Sequence, residues 1–64
     1  MKNWKFCKEY GFWVNIDKIL NIRIDLGSTA EFYNVVANYE NSSIVLYVES
    51  REKCEEWLKE FMND

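Results

Sequence analysis

Histidine is absent from this 64-residue chain, cysteine and glycine occur twice each, and no long apolar run is present. With no histidine, and with Cys7 and Cys54 near opposite ends rather than in a C-x-x-C pair, the ligand spacing of a zinc site is missing. Closely spaced acids around a glycine, which a calcium loop needs, are missing too. Neither a metal nor a cofactor is therefore expected. Two thiols do not make a disulfide framework. A single Cys7–Cys54 bridge is geometrically possible, but two reduced, buried thiols acting as small hydrophobes is the reading preferred here. Neither thiol has a histidine to activate it, and Cys54 falls on an apolar helix stripe, where thiol pKa values rise. Asp17 and Asp25 could pair for acid–base work, yet both sit at strand ends or on polar faces and read better as solvated charges. No glycine loop cradles a phosphate and no dinucleotide fingerprint occurs. No catalytic residue is assigned, and the chain reads as a non-enzyme. No stretch reaches the roughly 18 apolar residues of a membrane helix. Met1-Lys2-Asn3-Trp4-Lys5 carries charge with no apolar run after it, so no secretory leader is expected and the cytoplasm is the expected location.

What is present is apolar and aromatic. Hydrophobic residues make up 48% of the chain and aromatics 17%, with three Trp, four Tyr and four Phe. That composition is far too apolar for disorder. The net charge of −3 disfavours non-specific binding to nucleic acid or anionic lipid. The length allows one domain, residues 1–64. A chain of this size buries only about 60% of the surface its unfolded form exposes. Natural domains so small usually add disulfides, a metal or an oligomeric interface. With the first two disfavoured, a homodimer or another protein partner remains.

Alternation sets out the elements. From Trp4 to Ile16 the even positions are Trp4, Phe6, Lys8, Tyr10, Phe12, Val14 and Ile16, a period-two strand signature with Trp13 as the exception. Lys8-Glu9-Tyr10-Gly11 reads either as a turn splitting this run into a hairpin or as a bulge at Gly11, with the turn preferred. Strands are further expected at about 19–26, 31–39 and 44–49, separated by Asp17-Lys18, Gly27-Ser28 and Asn41-Ser42-Ser43. A helix is the competing reading for Asn15–Ile24. Ser50 is a good N-cap for a helix over 51–62. There Cys54, Trp57, Leu58, Phe61 and Met62 form one apolar stripe, and Arg51–Glu55 and Glu55–Lys59 are favourable i,i+4 pairs. The expected fold is α+β: a small antiparallel sheet of three to four strands with one C-terminal amphipathic helix on one face.

One helix of about 12 residues spans roughly 18 Å and covers one face of such a sheet. The face with Leu20, Ile22, Ile24, Ile44, Leu46 and Val48 is the expected partner of the helix. The opposite face then presents Trp13, Phe32, Val36, Val45 and Tyr47, which are expected to form a dimer or partner interface. An antiparallel sheet with one wet face normally alternates cleanly, and a large exposed apolar patch marks an interaction site. The plainer alternative is that Tyr and Trp cover the sheet for β-propensity alone, their polar tips in water. Lys2, Lys5 and Lys8 interleave with Trp4 and Phe6, as in strands that track single-stranded nucleic acid, so Lys2, Trp4, Lys5 and Lys8 are the alternative contact set. Against it stand Glu9 and the acidic helix; lysines on an edge strand also discourage aggregation. A small-molecule-sequestering oligomer is a third reading.

Two stretches carry a resemblance. Phe12-Trp13-Val14-Asn15-Ile16-Asp17-Lys18-Ile19 resembles the openings of many short phage and low-GC bacterial proteins. Ser50-Arg51-Glu52-Lys53-Cys54-Glu55-Glu56-Trp57-Leu58 is similar to their capped C-terminal helix. Abundant Asn, Ile, Lys and Glu without proline suits an AT-rich genome. Small phage anti-defence proteins, including anti-Hachiman and anti-Thoeris inhibitors, belong to this group. The resemblance covers about half the chain and transfers no functional residue. It implies an inhibitor or an accessory binding protein, acting on a host protein in the host cytoplasm.

Overall fold

Backbone pairing divides the strands into two antiparallel sheets. β1 (Trp4–Cys7) and β2 (Phe12–Asn15) form a hairpin, while β3 (Asn21–Leu26), β4 (Tyr33–Asn38) and β5 (Ser43–Glu49) form a three-stranded sheet in that order. A helix, α1 (Arg51–Met62), follows β5, and the architecture is α+β. The computed structural model describes residues 3–63. Among them, no helix is long and apolar enough to cross a membrane.

The first alternating run is broken by a turn. The amides of Tyr10 and Gly11 both donate to the Cys7 carbonyl, at 3.2 and 2.7 Å, and Gly11 takes a φ of +75°, a conformation glycine adopts without steric cost. Pairing then sets Trp4 opposite Asn15, Phe6 opposite Trp13 and Cys7 opposite Phe12. Even positions thus face odd ones, and directly opposed residues share a face. The single even-numbered face expected from Trp4 to Ile16 does not exist. Trp4 and Phe6 join Trp13 on the outer face, while Phe12 and Val14 join Cys7 on the inner one. The open end is tied by the Ile16 amide donating to the Asn3 carbonyl at 2.7 Å and by Asn3 Nδ2 donating to Asp17 Oδ2 at 3.0 Å. Asn15 Oδ1 accepts the Asp17 amide at 3.1 Å, capping a single 3-10 turn over Ile16–Lys18.

In the second sheet the register is regular between β3 and β4, and shifts between β4 and β5. Val36 faces Val45 but Val35 faces Tyr47, so Leu46 is an extra residue. A bulge of this kind advances the side-chain phase by one. Strict alternation placed Val48 with Ile44 and Leu46 beneath the helix, and Tyr47 on the far side. The bulge exchanges them: Tyr47 pairs in a row with Val35 and Ile24, and Val48 in a row with Asn34 and Asp25. Leu46 is fully buried with Cys7, Val14, Val35, Ala37 and Cys54, and Ile22, Ile24 and Ile44 pack around this cluster. Leu20, expected under the helix, is 68% exposed, and Val48 is 42% exposed.

The helix follows from its cap and stripe. Ser50 Oγ accepts the Lys53 amide at 3.4 Å, and Arg51 Nε reaches Glu55 Oε2 at 3.2 Å. Cys54, Trp57, Leu58 and Phe61 face inward, whereas Met62 is exposed. Gly27 ends β3 where its amide donates to the Phe32 carbonyl at 2.9 Å. A Cβ there would lie 2.5 Å from that carbonyl oxygen, so only glycine allows the approach.

Removing buried Leu46 tests this packing. Leu46→Ala is expected to cost about 2–5 kcal/mol, most of the roughly 3–10 kcal/mol available to a chain of this size. Val48→Ala, on the open face, should cost less than about 1 kcal/mol. Urea unfolding midpoints measure both, and equal losses would contradict the bulged register.

Candidate functional site

The outer face of the hairpin gathers the largest exposed side chains. Trp4, Phe6 and Trp13 are 42%, 48% and 57% exposed. Phe6 and Trp13, opposed across the strands, hold their ring centroids 5.2 Å apart at 58°, a tilted geometry that aromatic quadrupoles favour. A second aromatic row supports this face from behind. Tyr47 stacks on Trp57 at 5.2 Å and Trp57 on Phe61 at 4.8 Å, with ring planes within 9° and 12° of parallel. Lys5 Nζ lies 5.6 Å from the centre of the Phe61 ring, a cation–π distance that joins β1 to the end of the helix. Between hairpin and helix lies a concavity of about 480 Å³, lined by Asn3, Trp4, Lys5, Phe6, Trp13 and Phe61. A neighbouring one of about 310 Å³ shares Phe6 and Phe61 and adds Lys8, Glu9, Trp57 and Glu60. The result is an aromatic strip with a mixed-charge rim, suited to receiving apolar side chains of a polypeptide.

The residues expected to form one interface lie in different places. Trp13 is on the hairpin strip. Val36 and Val45 face each other on the open side of the three-stranded sheet, among Arg23, Asp25 and the Asn38–Asn21 side-chain hydrogen bond of 2.7 Å. Phe32 precedes β4 and is 41% exposed. Tyr47 is withdrawn beneath the helix by the bulge. Of the alternative set, Trp4 and Lys5 line the first concavity and Lys8 the second, beside Glu9 and Glu60. Lys2 lies outside the described residues. Phe6 and Phe61 belong to the strip although alternation did not single them out as site residues. The parity of a hairpin closed by a four-residue turn was the available signal for Phe6. Comparison of the chain with protein-family models, curated proteins and solved structures returned no match.

Two buried thiols and the half-buried Tyr47 phenol carry shifted titration among the described residues. Cys7 Sγ donates to the Leu46 carbonyl at 3.3 Å, and Cys54 Sγ lies 3.4 and 3.5 Å from the carbonyls of Tyr33 and Glu49. Both cysteines are free and buried, and burial pushes both thiols above their ordinary value, with nearby Glu9 acting on Cys7 and Glu49 and Glu55 on Cys54 in the same direction. Burial likewise raises the Tyr47 phenol, helped by surrounding carboxylates of which Glu49 comes first. Such thiols are poor nucleophiles. Among the described residues, no three Cys, Asp or Glu side chains are grouped to hold a metal ion. Because the folded chain holds its thiol protons more tightly than the unfolded one, their contribution to stability is complete below about pH 9, the ordinary thiol value. It is lost as pH rises toward the raised folded-state values, by up to about 1.4 kcal/mol per pH unit for each thiol. Urea midpoints should therefore fall between pH 9 and 10. A Cys7→Ala/Cys54→Ala variant, less stable overall, should lose that slope.

Proposed function

We propose that this chain is a non-enzymatic protein-interaction module that works as a homodimer and receives its partner on the aromatic face of the hairpin. One observation carries the reading: none of the three Trp, four Tyr and four Phe side chains is fully buried and five of them, Trp4, Phe6, Tyr10, Trp13 and Phe32, are exposed, while the fully buried core consists of two Cys, two Val, one Ala and one Leu. Aromatic residues bury about 150–250 Å² each and dominate the energetics of interfaces. Trp4, Phe6 and Trp13, each about half exposed, present together roughly 300 Å² of apolar surface on that scale, the size of the largest functional patches on monomers. Trp and Tyr are also the residues on which binding energy most often concentrates. The resemblance to short phage proteins adds an inhibitor that acts by occupying a host protein.

The two neighbouring concavities between them gather Trp4, Lys5 and Lys8, the composition a single-strand binder uses. Two features weigh against that second reading. Lys5 is engaged over Phe61, and Lys8 shares its hollow with Glu9 and Glu60.

Panning a random-peptide library against the folded protein separates the two. Peptides with apolar or aromatic anchors should be enriched. Phe6→Ala and Trp13→Ala should each weaken their binding by about tenfold or more, the range of an interface hot spot. Val45→Ala on the open sheet face should leave it within about twofold. Failure to enrich any peptide, or equal losses for Val45→Ala, would overturn the proposal. Binding of a single-stranded oligonucleotide that weakens steeply with salt would replace it with the nucleic-acid reading.

A further inference from the structure

The two edges of the three-stranded sheet are treated differently. On β5 the bulge at Leu46 interrupts the edge, and the Cys7 thiol of the hairpin takes up the Leu46 carbonyl. β3 has no such protection. It is six residues long, lies at the edge and carries no proline. Its two charges, Arg23 and Asp25, are of opposite sign, so they do not repel an antiparallel copy as the like-charged lysines of a protected edge would. The backbone groups left free there can be identified. Gly27 donates to Phe32 and Tyr39 to Ser42. Both bonds fit a ladder in which odd residues of β3 bond to β4, so the amides and carbonyls of Ile22, Ile24 and Leu26 point outward.

The side chains along this edge are complementary to their own reverse. Arg23 and Asp25 flank Ile24 with opposite charges, and Ile22 and Leu26 flank it one step further with apolar groups. Arg23 and Asp25 stand on the open face, paired at 3.0 Å with side chains 63% and 40% exposed. Leu26 is 73% exposed at the end of the helix-covered face. We infer that two copies of this chain join through antiparallel β3–β3 pairing about a two-fold axis at Ile24, making one continuous six-stranded sheet. In that register Ile24 meets its own copy, Ile22 meets Leu26 of the second copy, and Arg23 meets Asp25. All three outward-facing residues fall in hydrogen-bonded pairs, giving about six backbone bonds between copies, while Arg23 and Asp25 fall in the closer non-hydrogen-bonded pairs. A two-fold axis perpendicular to the sheet sets both helix–hairpin layers on one side and leaves each aromatic strip free. The inference rests on the homodimeric part of the proposed function and names its interface.

Charge reversal tests it, read as solution mass by light scattering over a dilution series. The wild type should be dimeric. Arg23→Asp and Asp25→Arg should each oppose like charges at both pairs and raise the dimer dissociation constant roughly ten- to hundredfold. The R23D chain presents two acids and the D25R chain two bases, so an equimolar mixture of the two should recover the dimer, and so should the R23D/D25R double variant. Loss of an intramolecular ion pair cannot produce recovery on mixing. Both substituted side chains reach the surface, 63% and 40% exposed, so far-UV circular dichroism should match the wild type. A wild type monomeric at 100 µM would overturn both this interface and the homodimeric reading. Single variants that remain dimeric, or a mixture that remains monomeric, would overturn the β3 interface alone.

Discussion

Leu46 and Tyr47 share one position opposite Val35, and the arrangement of the other layers depends on that bulge. It turns Leu46 fully inward, where it is the largest buried side chain. It leaves the Leu46 carbonyl for the Cys7 thiol at 3.3 Å, which anchors the hairpin against β5. It also brings Tyr47 to the helix side, where Tyr47, Trp57 and Phe61 stack in sequence and Phe61 supports Lys5. One inserted residue thus links the core, the docking of the hairpin and the floor of the aromatic strip.

The chain has little volume with which to hold these layers together. Its accessible surface is 4815 Å², against about 4,400 Å² expected for a compact monomer of this mass. Its extents of 37 × 25 × 18 Å describe a flat body. A three-stranded sheet with one layer above it buries its inner rows and leaves its other face wet. On that face Val36 and Val45 sit among an ion pair and paired asparagines, a mixture water tolerates. The uncovered apolar area is concentrated instead on the hairpin and at the ends of β3. This is the distribution of a small domain completed by contacts beyond its own chain.

Much of this fold was legible in the sequence. The Ser50 cap and the Cys54–Trp57–Leu58–Phe61 stripe define the helix without reference to anything distant. Gly11, Gly27 and Asn41–Ser42 mark turns for reasons local to each. The expected strands at 19–26, 31–39 and 44–49 begin or end within about two residues of the observed ones, the usual spread of such boundaries. The bulge was not legible, because Ile44-Val45-Leu46-Tyr47-Val48 is apolar in both phases and offers no alternation for an extra residue to break. The same ambiguity hid which of Tyr47 and Val48 meets the helix. The aromatic strip was half visible: Trp4, Lys5 and Trp13 stood out individually. Their union with Phe61 depends on turn length and on a contact between the two ends of the chain, neither of which periodicity encodes.

The most direct test of this account is a set of nuclear Overhauser contacts from Tyr47 and Val48 to the helix, measured by NMR. The bulged register places the Tyr47 ring against the Trp57 indole and leaves the Val48 methyls without a helix neighbour. Strong contacts from Tyr47 to Trp57, with none from Val48, are the predicted result. Contacts from Val48 to Trp57 or Leu58, with Tyr47 on the far side of the sheet, would contradict the register and with it the support of the aromatic face.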